Sequence, residues 1–399
     1  MSSSHSQPLA GRRIWIAGIG GAGMSAYALV AHAWGAEVAG WDRVDTPYLA
    51  HLDDAIEVTV APEPPLPPAD WEVYVSTAFA GKVDGKPRAE LLAELVSLRR
   101  SIVVAGAHGK TTTTAMIAFC LDRLGLDPTF LIGGDVAQLG GNARAGEGWL
   151  VVEGDESDRS VEVLRPEVAV LLNVDLDHHT TFGSRAEVAQ LFESWLATVP
   201  HVVRAEQLDP VRLELAVPGE HNRRNAAAAI AALELAGVAR ADAERAIVEF
   251  TGVGRRLERK GTAGGVAVLD SYAHHPAELA ADIAAVRDGT GRVLALFQPH
   301  LYSRTLHLKH EFAVALAAAD AVCVTDVYAA REEPLAGVSG RLIVEELAQV
   351  RPGMRLAFVP SVDEGARVVA SWARDGDTVL TLGAGDVDRA GPLLLLALA

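Results

Sequence analysis

The stretch Ser101-Ile-Val-Val-Ala-Gly-Ala-His-Gly-Lys-Thr-Thr-Thr-Thr114 constrains this chain more than any other. A β-branched apolar run, Ile102 to Val104, leads into a loop of small residues. Gly109-Lys110-Thr111 follows and opens a helical stretch. A strand, a small-residue loop and a helix N-terminus make a phosphate cradle, because backbone N–H groups and the positive helix end face phosphate oxygens. In that pattern Lys110 reaches the β- and γ-phosphates, and the Thr111 hydroxyl sits on Mg²⁺. The strict motif has glycine where this chain has Val104. Its glycine comes at Gly106, so the loop is a shortened variant. The plainer alternative is a glycine-rich turn capped by threonine. The pattern favours nucleotide, with ATP and Mg²⁺ as the expected pair.

At 399 residues, half of them hydrophobic, the chain can hold two to three domains at about 100–200 residues each. Its net charge of −17 repels nucleic acid and anionic membranes, while leaving room for a local basic pocket. Cys120 and Cys323 lie far apart without metal-ligand spacing, which fits a reducing compartment. Met1 to Gln7 is polar, no apolar segment reaches about 18 residues, and a cytoplasmic location is expected. Leu393 to Ala399 is apolar but short and reads as a packed terminal helix.

The chain opens with a predicted strand, Arg13 to Ala17, then Gly18-Ile-Gly-Gly-Ala-Gly23, a helix from Met24 to Trp34, and a strand from Glu37 to Trp41. Gly18, Gly20 and Gly23 carry the G-x-G-x-x-G spacing in its proper strand–turn–helix setting, and Asp42 stands where a ribose-binding acid belongs. This marks a pyrophosphate site, for a dinucleotide or for another nucleotide diphosphate. Further strands are predicted at Trp71–Thr77, Trp149–Val152, Val168–Val174, Val266–Leu269, Val293–Phe297, Ala321–Thr325 and Thr378–Leu382, with an alanine-rich helix over Asn225–Leu235. Alternating strands and helices give an α/β fold with parallel sheets covered by helices.

Two acidic strings follow apolar strands: Glu153-Gly-Asp-Glu-Ser-Asp158, and Asp175-Leu-Asp-His-His179. Oxygen ligands with one imidazole suit Mg²⁺, although one such loop alone would be ordinary solvated charge. Asn222 and Asn225 precede the alanine-rich helix and fit either adenine or a helix cap. Arg255 and Arg256 offer guanidinium groups to phosphate. Asp270-Ser-Tyr-Ala-His-His-Pro276 and Gln298-Pro-His-Leu-Tyr-Ser-Arg-Thr305 each follow a strand.

In order, these strings resemble the Mur ligases, and within them the alanine-adding branch. Gly18 to Ser25, Gly106 to Thr114, Glu153 to Asp158, Asp175 to His178, Gly219 to Asn225, Tyr272 to Pro276, Phe297 to Thr305, Asp326 to Ala330 and Leu382 to Asp386 carry the resemblance. It implies three domains: a Rossmann-like N-terminal domain (1–100) for a UDP-sugar, a P-loop ATPase domain with a mostly parallel sheet (101–253), and a Rossmann-like C-terminal domain (254–399) for the amino acid. It assigns Gly18, Gly20, Gly21, Ala22, Gly23, Met24, Ser25, Asp42, His178 and Arg304 to the UDP-sugar. It assigns Gly106, His108, Gly109, Lys110, Thr111, Thr112, Asn222, Asn225, Arg256 and Asp270 to ATP, and Thr111, Glu153 and His178 to Mg²⁺. Lys110, Glu153, His178, Arg256 and His274 form the implied catalytic set. The implied reaction joins L-alanine to the lactyl carboxylate of UDP-N-acetylmuramate through an acyl phosphate. The protein is expected to be a monomer or weak homodimer.

Lys110 is the sole lysine between Lys86 and Lys260, so the carbamylated lysine of several sister ligases has no place here. The chain is shorter than that family's pattern between Thr77 and Arg88 and between Pro200 and Pro218. Ser271 stands where the pattern has a second aspartate, and Leu301 where it has arginine. The competing readings are a sister ligase with a peptide acceptor, a shortened nucleotide-binding scaffold, and an NAD-dependent oxidoreductase resting on Gly18–Gly23 alone.

Overall fold

The computed structural model describes residues 7–176, 181–287, 291–330 and 332–399. Its strands form three sheets. The first contains β1 (Arg13–Ala17), β2 (Glu37–Asp42), β3 (Glu57–Val60), β4 (Glu72–Val75) and β5 (Lys86–Pro87), with α1 (Ala22–Ala33) and α2 (Arg88–Ser97). The order is β3-β2-β1-β4-β5, all parallel. The chain leaves β1 towards β2 and returns to β4 on the other side. The crevice at the carboxyl ends of β1 and β4 is therefore a topological switch point. Between Thr77 and Arg88 there is one short 3₁₀ turn and the two-residue β5.

The second sheet contains β6 (Ser101–Ala105), β7 (Thr129–Val136), β8 (Gly141–Arg144), β9 (Leu150–Glu153), β10 (Val168–Leu171) and β11 (His201–Arg204), in the order β11-β10-β6-β9-β7-β8. Only the β7–β8 pairing is antiparallel. Its helices are α3 (Lys110–Arg123), α4 (Arg185–Leu196), α5 (Glu220–Leu235) and α6 (Arg240–Ile247). Strand β6 is buried throughout, as a central parallel strand with helices on both faces must be.

The third sheet contains β12 (Arg256–Ala263), β13 (Val266–Ser271), β14 (Val293–Phe297), β15 (Ala321–Val324), β16 (Arg355–Phe358) and β17 (Thr378–Leu382), with α7 (Pro276–Val286), α8 (Tyr302–Leu316), α9 (Arg341–Val350), α10 (Val362–Trp372) and α11 (Ala390–Leu398). The order is β12-β13-β17-β14-β15-β16, with β12 alone antiparallel to its neighbour. The apolar C-terminal stretch does form a helix, α11, which packs on β12 and β13.

The chain folds as two compact units. One holds the first two sheets (Met1–Ala216 and Asn222–Val253), and the other holds the third sheet with Val217–His221. In the first unit a single apolar core runs through both sheets: Ile14, Val30 and Leu91 from one join Val103, Leu131 and Val152 from the other. Among the described residues no helix is long and apolar enough to cross a membrane.

The predicted strands are present, within a residue or two at their ends except that β10 stops at Leu171, three residues before the predicted end at Val174. The alanine-rich helix begins at Glu220 rather than Asn225, and β7–β8, β11 and β12 carry no clear period in the sequence. In the second unit Phe297 is fully buried, with its ring 5.2 Å from that of Phe312. Phe297→Ala is expected to cost about 3–5 kcal/mol of stability, read as a lower urea midpoint for that unit.

Candidate functional site

Most strings singled out in the described sequence lie at the carboxyl end of a strand; Gly219–Asn225 instead opens α5, and Arg255–Arg256 stand at the start of β12. In the first unit, Gly18 follows β1 with φ +86°, and a Cβ there would lie 2.3 Å from Ser76 Oγ. The loop is fixed by Asp42 at the end of β2. Its Oδ2 accepts the Gly20 N–H at 2.8 Å, its Oδ1 accepts the Arg43 N–H at 2.7 Å, and the Thr46 hydroxyl donates to Gly20 O at 2.6 Å. Asp42 is buried and braces the glycine loop; a ribose would have to compete with these backbone donors. A cleft of about 430 Å³ opens over the loop, lined by Gly18, Gly20, Gly21, Gly23, Met24, Asp42, Ser76, Arg88 and Asp155. Ser25 is buried, its hydroxyl donating to Ala22 O at 3.1 Å. Asn142 of β8 donates to the same carbonyl at 3.1 Å, so the second sheet props the glycine loop of the first.

The phosphate loop connects β6 to α3. Gly106 and Gly109 have φ of +133° and +86°. A Cβ at Gly106 would come within 3.0 Å of the Asn173 backbone, and one at Gly109 within 2.6 Å of Asn225 Oδ1. Side chains are excluded at both points, which lets the backbone close into a cradle. Asn173 clamps the loop from the end of β10: its Oδ1 accepts the His108 N–H and its Nδ2 donates to His108 O, each at 2.9 Å. His108 Nε2 lies 3.7 Å from Asp175. Asn225 Nδ2 donates to Asn222 Oδ1 at 3.4 Å, so both asparagines sit behind the loop as a pair.

Lys110 is folded into the cradle. Its Nζ donates to Gly106 O at 2.6 Å and lies 3.0 Å from the nearly fully buried Glu156 carboxylate. Burial works against the ammonium charge, yet Glu156, Asp155 and Glu153 together raise its pKa above the usual lysine value. Thr111 Oγ1 donates to Glu153 Oε2 at 3.1 Å, and Glu153 Oε1 accepts the Gly133 N–H at 2.6 Å. A hydroxyl and a carboxylate brought together at a phosphate loop form a hard-oxygen donor pair that suits Mg²⁺. His178, the third expected ligand, lies outside the described residues. Thr112, in the first turn of α3, is buried.

The sequence reading gave no role to Arg88, at the start of α2. Its guanidinium contacts Asp155 at 2.9 Å and Asp158 at 2.7 Å, and Nη1 donates to the Tyr27 hydroxyl at 3.4 Å. Burial resists the charge on Asp155, but Lys110 and Arg88 outweigh it and hold the carboxyl at about 2. No local signal could have found this pairing, because its partners lie 67 and 70 residues apart.

In the second unit the structure separates two neighbouring arginines. Arg255 is spent on the fold: it donates to Asp270 at 3.0 Å, to Gly385 O at 2.9 Å and to Gly383 O at 2.8 Å. Asp270, expected at the nucleotide, is completely buried between Arg255 and the Thr381 hydroxyl and presents no surface to a ligand. Its role is therefore to orient Arg255. Arg256 stands 5.3 Å from the Tyr272 ring and 3.8 Å from Glu278. His274 Nδ1 donates to Tyr272 O at 2.9 Å, which fixes Nε2 as the unprotonated nitrogen of the neutral ring. The His274 and His300 rings meet edge-on at 5.8 Å, His300 stacks on Tyr328 at 5.9 Å, and the buried Arg304 reaches His300 at 3.4 Å. The second unit thus brings Arg256, Tyr272, His274, His300 and Arg304 to the ends of β13 and β14.

Ser271 donates a short hydrogen bond to Asp282 of α7, and His221 lies 3.8 Å from the other Asp282 oxygen. Burial pushes the Asp282 carboxyl up to about 7. Because the native pKa lies above the unfolded value near 3.9, folding takes up a proton between those two values. The stability cost is absent below about pH 4, grows as pH rises and is complete above about pH 7, at about 1.4 kcal/mol per unit. Asp282→Asn keeps an acceptor for Ser271 and removes the titration. It is expected to raise the melting temperature of the second unit at pH 8 and to leave it nearly unchanged at pH 4.

Two family models match the chain: a Mur ligase middle domain over residues 104–201, and a Mur ligase, glutamate ligase domain over residues 255–385. A UDP-N-acetylmuramate–L-alanine ligase of Streptomyces coelicolor is 40% identical over 454 aligned positions, covering 97% of this chain and 98% of the relative. Its counterpart in Streptomyces avermitilis is 39% identical with the same coverage. The alignments are longer than the chain's 399 residues, so these relatives carry segments that this chain lacks. Among solved structures, the UDP-N-acetylmuramate–alanine ligase of Thermotoga maritima matches with a TM-score of 0.78 at 26% identity, covering 96% of this chain and 98% of that one.

Proposed function

The chain belongs to the Mur ligase family, and from that premise we propose that it is an ATP-dependent ligase joining L-alanine to the lactyl carboxylate of UDP-N-acetylmuramate in peptidoglycan synthesis. The observation that carries the reading is the presence of two anion-cradling loops in one core. Gly18–Gly23 at the end of β1 takes the UDP diphosphate, and Gly106–Lys110 at the end of β6 takes the ATP phosphates. The curated relatives that are 39–40% identical over nearly the whole chain are alanine ligases, which favours this acceptor over a peptide.

A carboxylate is a poor electrophile toward an amine. The lactyl carboxylate therefore attacks the γ-phosphorus of ATP; ADP leaves, and an acyl phosphate forms. The alanine amine then attacks the acyl carbon, phosphate leaves, and the amine gives up a proton. The chain's part is positioning and charge neutralisation. Lys110 exchanges its loop carbonyls and Glu156 for phosphate oxygens. Arg256, held beside Tyr272, neutralises the γ-phosphoryl group. Thr111 and Glu153, with His178, would hold Mg²⁺, which supplies further neutralisation of phosphate charge when bound. His274 and Arg304 position the muramyl carboxylate and the incoming amino acid. We assign the first sheet to the UDP-sugar, the second to ATP and the third to the amino acid.

Phosphate release from ATP and Mg²⁺ that requires both UDP-N-acetylmuramate and L-alanine, with the ligated product formed, is the expected result. No release in a protein that binds ATP would favour the scaffold reading. Lys110→Ala should lower kcat by about 10²–10³-fold or more, the scale of losing one charge-stabilising donor, while circular dichroism shows an intact fold.

A further inference from the structure

Strand β13 ends at Ser271, and the residues that follow carry Tyr272 and His274 into the site of the functional reading above, on which this inference rests. The Ala273 N–H donates to Ser271 Oγ at 3.1 Å, so a side chain closes a turn on the backbone two residues on. Aspartate closes such a turn more strongly than serine, because its acceptor is charged. The family's pattern has aspartate at this position, and this chain has Ser271. The Ser271 hydroxyl in turn donates a short hydrogen bond to Asp282 of α7. A carboxylate therefore still stands behind the turn, one side chain further back and from another element.

Packing alone would favour an apolar residue at position 282. Asp282 is buried on α7 together with Leu279 and Ile283. A carboxylate is costly in such a place. Burial pushes it up to about 7 against the pull of the Ser271 hydrogen bond, with Glu278 adding to the rise and Arg256 opposing it. His221 lies 3.8 Å from the second oxygen. Ser271 needs only an acceptor, which an amide would supply at less cost to the fold. The charge is the part that packing does not explain.

We propose that Asp282 is a positioning residue for the ligation, and that together with Ser271 it replaces, from α7, the carboxylate that the family's pattern carries at the end of β13. The charge on Asp282 polarises the Ser271 hydroxyl, which strengthens its acceptance of the Ala273 N–H. The turn so held sets the Tyr272 carbonyl, which accepts His274 Nδ1–H at 2.9 Å. It also sets the Tyr272 ring, beside which Arg256 stands at 5.3 Å. Asp282 thus acts through one turn on the residues assigned to the γ-phosphoryl group and the amino acid.

The test is steady-state ligation kinetics of the full-length protein at pH 8, with thermal melting of the same samples. Asp282→Asn keeps an acceptor for Ser271 and removes the charge. It should lower kcat by about 10-fold or more, while the melting temperature of the second unit rises. A residue that served packing alone would leave kcat unchanged. Adding Ser271→Asp to Asp282→Asn moves the carboxylate to the strand end, where the amide at 282 can donate to it. That double variant should recover kcat by about 5-fold or more, the scale of coupling between residues in contact. Asp282→Glu keeps the charge, should retain more activity than Asp282→Asn, and decides the matter if the double variant does not fold. Wild-type kcat in folded Asp282→Asn overturns the proposal, as does a folded double variant without recovery. Absence of ligation in the wild type overturns the functional reading itself and is recognisable as such.

Discussion

Lys110 is only partly exposed at the end of β6, and an ammonium drawn that far from water is tolerable only beside an anion. Glu156 supplies that anion, and the surrounding loops are arranged to bring it there. Strand β9 must run parallel to β6, in register from Ser101 opposite Leu150, so that the acidic loop emerges beside the phosphate loop. Gly106 and Gly109 must lack side chains, because Asn173 and Asn225 press against them. The pair is thus a condition on the second sheet as much as a contact within it. The same ammonium is then available for exchange when a stronger anion arrives.

A second condition follows from the first. The acidic loop carries more carboxylates than Lys110 can neutralise, and the remainder are met by Arg88, which belongs to the first sheet's α2. Asn142 makes the complementary connection, from β8 to the carbonyl of Ala22. Together with the continuous apolar core, these contacts join the first two sheets into one compact unit. The second unit solves the corresponding problem differently. Arg255 and Asp270 form an interior pair that braces the Gly383–Gly385 loop, which leaves Arg256 and the ring series from Tyr272 to Tyr328 at the strand ends.

The sequence reading located most of the site because most of it is local. Gly18–Gly23, Gly106–Thr111 and Tyr272–His275 are short strings whose spacing carries their chemistry, and each stands directly after a strand. It assigned Asp270 to the nucleotide, whereas packing against Arg255 and Thr381 buries it completely. It placed Asp42 by its distance from the glycines without seeing that both oxygens are taken by backbone N–H groups. It also gave no function to Arg88, Asn142, Asn173 or Asp282, whose partners are 11 to 120 residues away in the chain.

The sequence by itself determined the strand–loop–helix cradles, the α/β class and the residue types that meet phosphate. Those follow from hydrophobic period, from glycine where the backbone must close tightly, and from the order of the strings. Tertiary structure alone decided which of two adjacent arginines is structural, which aspartates are buried, and that one acidic loop serves two cations. These outcomes depend on strand order and register across a sheet. Such long-range pairings set burial and counter-charge, and no window of neighbouring residues contains them.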